Sequence, residues 1–147
     1  MKDEIVGYTT GVFDLFHVGH LRLLSRAKSR CDRLIVGVST DELVEKYKSK
    51  KPVIPFEERA EIVSALKCVD EVVPQKHRDK VAAYHEIKFD IMFVGSDWKG
   101  SDLFNEVESD LAGHGVDVIY FEYTNNVSST SLQSTLQAIF DEESLVK

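Results

Sequence analysis

Two hydrophobic periods take turns along this chain. Ile5–Thr9 is a short apolar run broken by Thr10 and Gly11, which reads as a strand closed by a tight turn. Leu21, Leu23, Leu24 and Ala27 then recur at helical spacing with Arg22, Arg26 and Lys28 between them, predicting a helix from about Gly19 to Ser29. Arg33–Ser39 holds the unbroken apolar run of a buried strand. Thr40 caps a short helix, Asp41–Tyr47, whose acidic first turn suits the helix dipole. Lys48–Pro55 is a loop, and Phe56–Lys67 a helix. Val69–Pro74 is predicted as a third strand stopped by its proline, followed by a helix over His77–Ile87. Asp90–Val94 is the fourth strand, Gly95–Gly100 a loop, Ser101–Ala112 a helix, Val116–Glu122 the fifth strand and Ser128–Phe140 the last helix.

Strands alternating with helices imply a parallel sheet covered on both faces. Right-handed crossovers leave doubly wound topologies. The expected fold is therefore α/β: a single Rossmann-like domain over residues 1–140, with a five-stranded parallel sheet and a polar tail at 141–147. In such sheets a ligand sits beyond the carboxyl ends of the strands, where strand order reverses. The loops after strands one, two, four and five are the places to look.

Composition narrows the partners. The chain has 147 residues, 43% hydrophobic and 29% charged, as in ordinary globular proteins. Its 18 basic residues against 25 acidic give a net charge of −7, which disfavours a nucleic-acid backbone as partner. A local cluster of Lys46, Lys48, Lys50 and Lys51 can still meet a small anion. No apolar run approaches the roughly 20 residues of a membrane span, and the opening MKDEIVGYTT is unlike a signal peptide, so a cytoplasmic protein is expected. Cys31 and Cys68 lack metal-ligand spacing and read as reduced, partly buried thiols.

The chemistry concentrates after the first strand, in Thr10-Gly11-Val12-Phe13-Asp14-Leu15-Phe16-His17-Val18-Gly19-His20. His17-x-Gly19-His20 puts two imidazoles at a helix start beside a strand end. Gly19 permits close approach of a ligand to the backbone, and the helix N-terminus is an anion site. Imidazoles donate hydrogen bonds to phosphate oxygens as neutral rings or as cations. Such a site suits the stabilisation of charge growing on a triphosphate as it is cleaved. Neither the dinucleotide fingerprint GxGxxG nor a P-loop stands here.

This stretch resembles the signature of the nucleotidyltransferase superfamily with the HxGH motif. Within it, the similarity from about Val6 to Leu136 is to the bacterial glycerol-3-phosphate cytidylyltransferases. The resemblance implies transfer of CMP from CTP to a small phosphorylated alcohol, most simply glycerol 3-phosphate, giving CDP-glycerol and pyrophosphate. It also implies Mg2+ and a homodimer. By the same resemblance His17, His20, Lys48 and Arg59 are catalytic. Thr10, Gly11, Val12, Phe13, Gly19, Lys50, Asp97 and Trp98 contact the nucleotide, and Lys48 and Lys80 the acceptor.

Ser39-Thr40-Asp41-Glu42 and the lysine loop match the family pattern, although a solvated loop would also explain the lysines. Arg59, in Pro55-Phe56-Glu57-Glu58-Arg59, is open to three roles: a fork on substrate, a buttress, or a surface ion pair with glutamates of its own helix. Asp14 is either a magnesium contact or a turn-stabilising residue. In Gly95-Ser96-Asp97-Trp98 the carboxylate can accept from the cytosine amino group, and the indole can wall the base or pack in the core. Tyr123-Thr124-Asn125-Asn126-Val127-Ser128-Ser129-Thr130-Ser131 is similar to the family's RTxGISTT stretch, which implies phosphate binding by Thr124, Val127, Ser128, Ser129 and Thr130. Tyr123 and Asn126 depart from it, replacing an arginine and a glycine. Two rival readings are an adenylyltransferase for a sugar phosphate and the same chemistry on phosphoethanolamine. A non-catalytic nucleotide sensor is the rival of another class.

Overall fold

The computed structural model describes residues 4–122 and 134–139. Its sheet grows from β2 (Arg33–Ser39), which takes the bounds its apolar run predicts and is buried along all but its first residue. Alternation on this strand sends side chains to two cores. Leu34, Val36 and Val38 join one cluster with Leu24, Ala27, Val63, Phe93 and Phe121. Ile35 joins Tyr8, Ala83, Phe89, Met92 and Leu111 in the other. The first cluster is covered by α1 (Val18–Lys28) and α3 (Phe56–Ser64), and the second by α4 (Lys80–Ile87) and α5 (Asp102–Ala112).

All five strands are parallel, in the order β3-β2-β1-β4-β5. The fold is thus the doubly wound α/β domain that the periodicity predicts. Order reverses between β1 (Val6–Gly11) and β4 (Ile91–Gly95). Register shows why that reversal opens a crevice. β1 pairs with β2 as far as Gly11 against Val38, but with β4 only as far as Thr9 against Phe93. Two residues at the carboxyl end of β1 therefore have a paired edge on one side alone. The expected break at Thr10–Gly11 is not found, because β2 is long enough to carry the pairing on.

The third strand also differs from expectation. β3 (Glu71–Gln75) runs through Pro74, which pairs in register with Val38. As the first strand in the sheet order, β3 is an edge strand, where the missing proline N–H costs no ladder bond. The helix after it begins at Lys80 and not at His77. The Asp79 carboxylate accepts from the amides of Val81 and Ala82 and fixes the N-terminus there. Residues 76–79 become a loop beyond the sheet. α2 (Asp41–Lys48) is capped by Thr40 as predicted and closes on Ser49 in the left-handed region, with φ 58°. Both cysteines are half-buried thiols. Among the described residues no helix is long and apolar enough to cross a membrane.

Candidate active site

The loop from β1 to α1 is built on backbone that few residues accept. Phe13 and Leu15 both have positive φ, 55° and 49°, a conformation costing on the order of 1–2 kcal/mol for a side chain of this size. Asp14 sits between them, buried, and holds the bend. Its carboxylate accepts from the amides of Leu15, Val53 and Ile54, at 3.1, 2.7 and 2.9 Å. The ring of Phe13 folds back over Gly11 so closely that a Cβ there would lie 2.9 Å from it. A larger residue at Gly11 would push the loop open.

Asp14 is therefore a clamp between the first loop and the lysine loop, which is the turn-stabilising role of the two expected for it. Among the described residues no cluster of three His, Cys, Asp or Glu could hold a metal ion. Asp14→Asn is expected to lower stability by about 1–3 kcal/mol, the cost of weakening charge-assisted bonds to buried amides. The magnesium requirement of any activity should stay as it is. Thermal melts and a magnesium titration check this, and an unchanged melt with a raised magnesium requirement would restore the ligand role.

The two histidines cap α1 reciprocally. His17 is the N-cap, and its Nδ1 accepts from the Gly19 amide at 3.0 Å. His20 Nδ1 accepts from the His17 amide at 3.3 Å, completing a capping box. Both Nδ1 atoms are acceptors, so in each neutral ring the proton is on Nε2. The rings stack with centroids 4.0 Å apart and 27° between planes. Burial lowers the pKa of His17. Burial, then the neighbouring His17, push that of His20 down to about 4 against an opposing pull from Asp14. At neutral pH both rings are uncharged, with the proton on Nε2. His17 Nε2 is buried and has no hydrogen-bond partner among the described residues, a cost that a ligand oxygen would remove.

A cleft of about 500 Å³ opens at the strand-order reversal, lined by Thr9–Phe13, His20, Ser39, Gln75, Lys80, Val94 and Trp98 among others. Its lining is mixed in chemistry. Met92, Trp98, Leu103, Phe104 and Val107 are apolar; Ser39, Tyr47, Gln75, Arg78 and Lys80 are polar or cationic. Lys80 Nζ donates to Thr10 Oγ1 at 3.2 Å. Burial, then the charge of Arg78, lower its pKa to about 8. Thr10, Gly11, Val12, Phe13, His20, Lys80 and Trp98 thus lie where the sequence reading puts them, around one cavity.

Others are displaced from it. His17 is not in the lining but stacks directly on His20, which is. The Gly19 amide is taken by His17. Lys48 and Lys50 are exposed and outside the lining, although Lys48 lies within electrostatic reach of Arg78, which lowers its pKa after burial and Lys50 do so. Asp97, in a single 3-10 turn at Ser96–Trp98, is exposed and not among the lining residues, although Gly95 and Trp98 beside it are. Trp98 packs on Phe104 with centroids 5.3 Å apart while lining the cavity, so it serves as wall and as packing together. Tyr123, Thr124, Asn126, Val127, Ser128, Ser129 and Thr130 lie outside the described residues.

Arg59 is the main correction. It is 0% exposed. Its Nε donates to the Ile54 carbonyl, one terminal nitrogen to the carbonyls of Val12 and Ser39, and the other to Asp41, at 2.6–2.8 Å. The guanidinium is consumed by the chain, so Arg59 buttresses the site and does not touch a substrate. It is not in a surface pair with its own helix either. Tyr47, Gln75 and Arg78 are among the lining residues that the sequence reading did not assign to the site. The signal for Arg78 was Asp79, a helix cap that moves Arg78 into the loop.

Comparison with known proteins places this architecture. A family model for cytidylyltransferase-like proteins matches residues 8–134. The chain is 36% identical over 132 residues to the glycerol-3-phosphate cytidylyltransferase of Bacillus spizizenii, covering 89% of this chain and 96% of that protein. It is 34% identical over 137 residues to the bifunctional protein HldE of Yersinia pestis, of which it spans 28%. Among solved structures, the lipopolysaccharide core biosynthesis protein of Thermoplasma volcanium superposes with a TM-score of 0.68 at 30% identity, covering 82% of this chain and 97% of that one. The pantoate-beta-alanine ligase of Francisella tularensis, at 14% identity and a TM-score of 0.59, shares the fold. With most of its length matched by the family model and a cytidylyltransferase aligned nearly end to end, the chain belongs to the cytidylyltransferase-like family and is a nucleotidyltransferase.

Proposed function

We propose that the enzyme transfers CMP from CTP to a small phosphorylated alcohol, glycerol 3-phosphate, giving CDP-glycerol and pyrophosphate. The observation that carries this reading is the 36% identity to a glycerol-3-phosphate cytidylyltransferase across 96% of that protein. The cleft agrees with it in size and in polarity. Its aromatic and aliphatic side chains suit a base and ribose, and its cations suit phosphates.

The step is an in-line displacement. A phosphate oxygen of the acceptor attacks the α-phosphorus of CTP, forming a new P–O bond. The bond from the α-phosphorus to the bridging oxygen breaks, and its electron pair leaves with pyrophosphate. A phosphomonoester is largely dianionic at neutral pH, so no general base is needed. The barrier lies in bringing two anions together, and catalysis is positioning plus charge neutralisation. The Nε2–H donors of His17 and His20 serve the α-phosphate and bridging oxygens, and Lys80 and Lys48 offset the negative charge. Magnesium would enter with the triphosphate, kept mainly by substrate oxygens and water, and would neutralise part of its charge.

Incubation with magnesium, CTP or ATP, and a panel of phosphorylated alcohols and sugars tests the reading by mass spectrometry. Stoichiometric CDP-glycerol and pyrophosphate from CTP and glycerol 3-phosphate is the expected result. Product from ATP and a sugar phosphate alone would overturn it in favour of adenylyl transfer. The pH profile provides a further check. Lys80 is charged below about 8 and loses its proton above. The acceptor kcat/KM is therefore expected to fall as pH rises through that value, and Lys80→Met should flatten this limb while lowering the plateau.

A further inference from the structure

Arg78 stands apart from the other cations of the site. It lies in the loop between β3 and α4 and lines the cleft. Its guanidinium sits over the Tyr47 ring, 4.5 Å from the centroid, with the Trp98 ring 6.0 Å away. Where Arg59 spends its donors on the chain, Arg78 makes no hydrogen bond or ion pair among the described residues. Stacking occupies the face of a guanidinium and leaves its edge, with the N–H fork, for a planar pair of hydrogen bonds. Phosphate is a natural match for such a fork.

We infer that Arg78 is the acceptor-selecting residue of this enzyme, gripping the acceptor's phosphate with its free edge and excluding phosphorylated alcohols that carry a cationic end. The inference rests on the cytidylyl-transfer reading. Arg78 lines the cleft together with the polar side chains of Gln75, Ser39 and Lys80. Arg78 and Lys80 both line the cleft, and the charge of Arg78 reaches Lys80 and, outside the lining, Lys48, whose pKa values it lowers, so positive charge gathers on this side of the site. The carboxylate whose charge reaches Lys48, Asp14, accepts from three amides. Neutral polar contacts come from the Ser39 hydroxyl, which donates to Gln75 Oε1 at 2.7 Å on the cleft floor. Such surroundings accommodate hydroxyl groups on the acceptor and repel an ammonium. The rings of Tyr47 and Trp98 would otherwise offer a seat for an ammonium group, but the chain's own guanidinium takes it. Selection therefore has an attractive part, the fork, and a repulsive part, the filled seat.

Arg78→Gln removes both parts and Arg78→Lys only the fork. Initial rates are measured with glycerol 3-phosphate and with phosphoethanolamine, varying acceptor and CTP separately. Arg78→Gln is expected to raise the acceptor KM roughly 10–100-fold, the loss of a charge-assisted pair. The KM for CTP and the saturated kcat should stay within about twofold. Its preference for glycerol 3-phosphate over phosphoethanolamine should shrink, whereas Arg78→Lys should keep the preference at a weaker affinity. An unchanged acceptor KM, or a KM for CTP rising in step with it, would overturn the inference. If the parent uses a different acceptor or nucleotide, the proposed reaction fails, and the same KM split with that pair still decides the role of Arg78. If the parent transfers nothing, calorimetry with glycerol 3-phosphate decides instead: weaker binding to Arg78→Gln supports the role, and equal binding or none overturns it.

Discussion

Replacing His17 with asparagine is expected to leave α1 intact and to cut turnover by on the order of a hundredfold, the loss seen when one preorganised donor to a developing oxyanion is removed. The separation is possible because the two nitrogens of this ring have different tasks. Nδ1 caps the helix by accepting from Gly19, and Nε2 is the buried donor without a partner among the described residues. Asparagine is among the best N-cap residues, so it supplies the first function and lacks the second. His17→Ala loses both and should add about 1 kcal/mol of destabilisation. The KM for CTP should change little in the asparagine variant, since the lost bond strengthens mainly as charge builds on the leaving group. Burial lowers the pKa of His17, and burial and His17 hold that of His20 down to about 4. His20 should therefore add no limb to the kcat profile in the ordinary histidine range, where the acceptor phosphate itself titrates at about 6. The limb of His20 belongs nearer 4, where protonation of Nδ1 also breaks the capping box. A melt and a kcat profile on His17→Asn check both points. Near-parental turnover in a well-folded sample would remove the histidine pair from the mechanism.

The histidine pair was legible in sequence because everything that positions it is local. A strand end, a bend and a helix start lie within eleven residues, and the cap bonds span two or three. β2 was legible for a related reason, since a strand buried on both faces shows as an unbroken apolar run. Misreadings fall where a distant partner decides. Nothing near Thr10 and Gly11 says that β2 will pair beyond them. Pro74 stops a strand in general, and continues this one only because β3 has an edge position. Asp97 and Trp98 are neighbours in sequence, but the 3-10 turn sends one outward and leaves the other on the cleft. Arg59 stayed open between substrate, buttress and surface pair, and Arg78 was passed over inside a predicted helix. An arginine's role depends on which acceptors surround it, and those of Arg59 are 5, 18, 20 and 47 residues away.

Arg59→Met should accordingly be a stability variant before it is an activity variant. The guanidinium ties together three segments that form the cleft: Val12 in the first loop, Ser39 at the end of β2, and Ile54 before α3. It also pairs with Asp41, whose other carboxylate oxygen accepts from the Phe56 amide at the start of α3, where Pro55 offers no side-chain cap. Methionine fills much of the volume and satisfies none of these groups. Three carbonyls and a partly buried carboxylate lose their donor, a loss of about 3–5 kcal/mol by analogy with broken buried pairs. For a domain of this size that corresponds to roughly 10 °C in Tm. Lysine does not rescue it, because one ammonium cannot face acceptors on several sides. Arg59→Lys should fall between parent and methionine in a thermal melt. At a temperature where the variants remain folded, loosening of Val12 and Ser39 should raise the KM for nucleotide and acceptor together, since both lie on the cleft wall. An Arg59→Met protein that melts within about two degrees of the parent and loses only kcat would show the opposite. The guanidinium would then reach the reacting phosphates, and the buried cage around it would have to open during turnover.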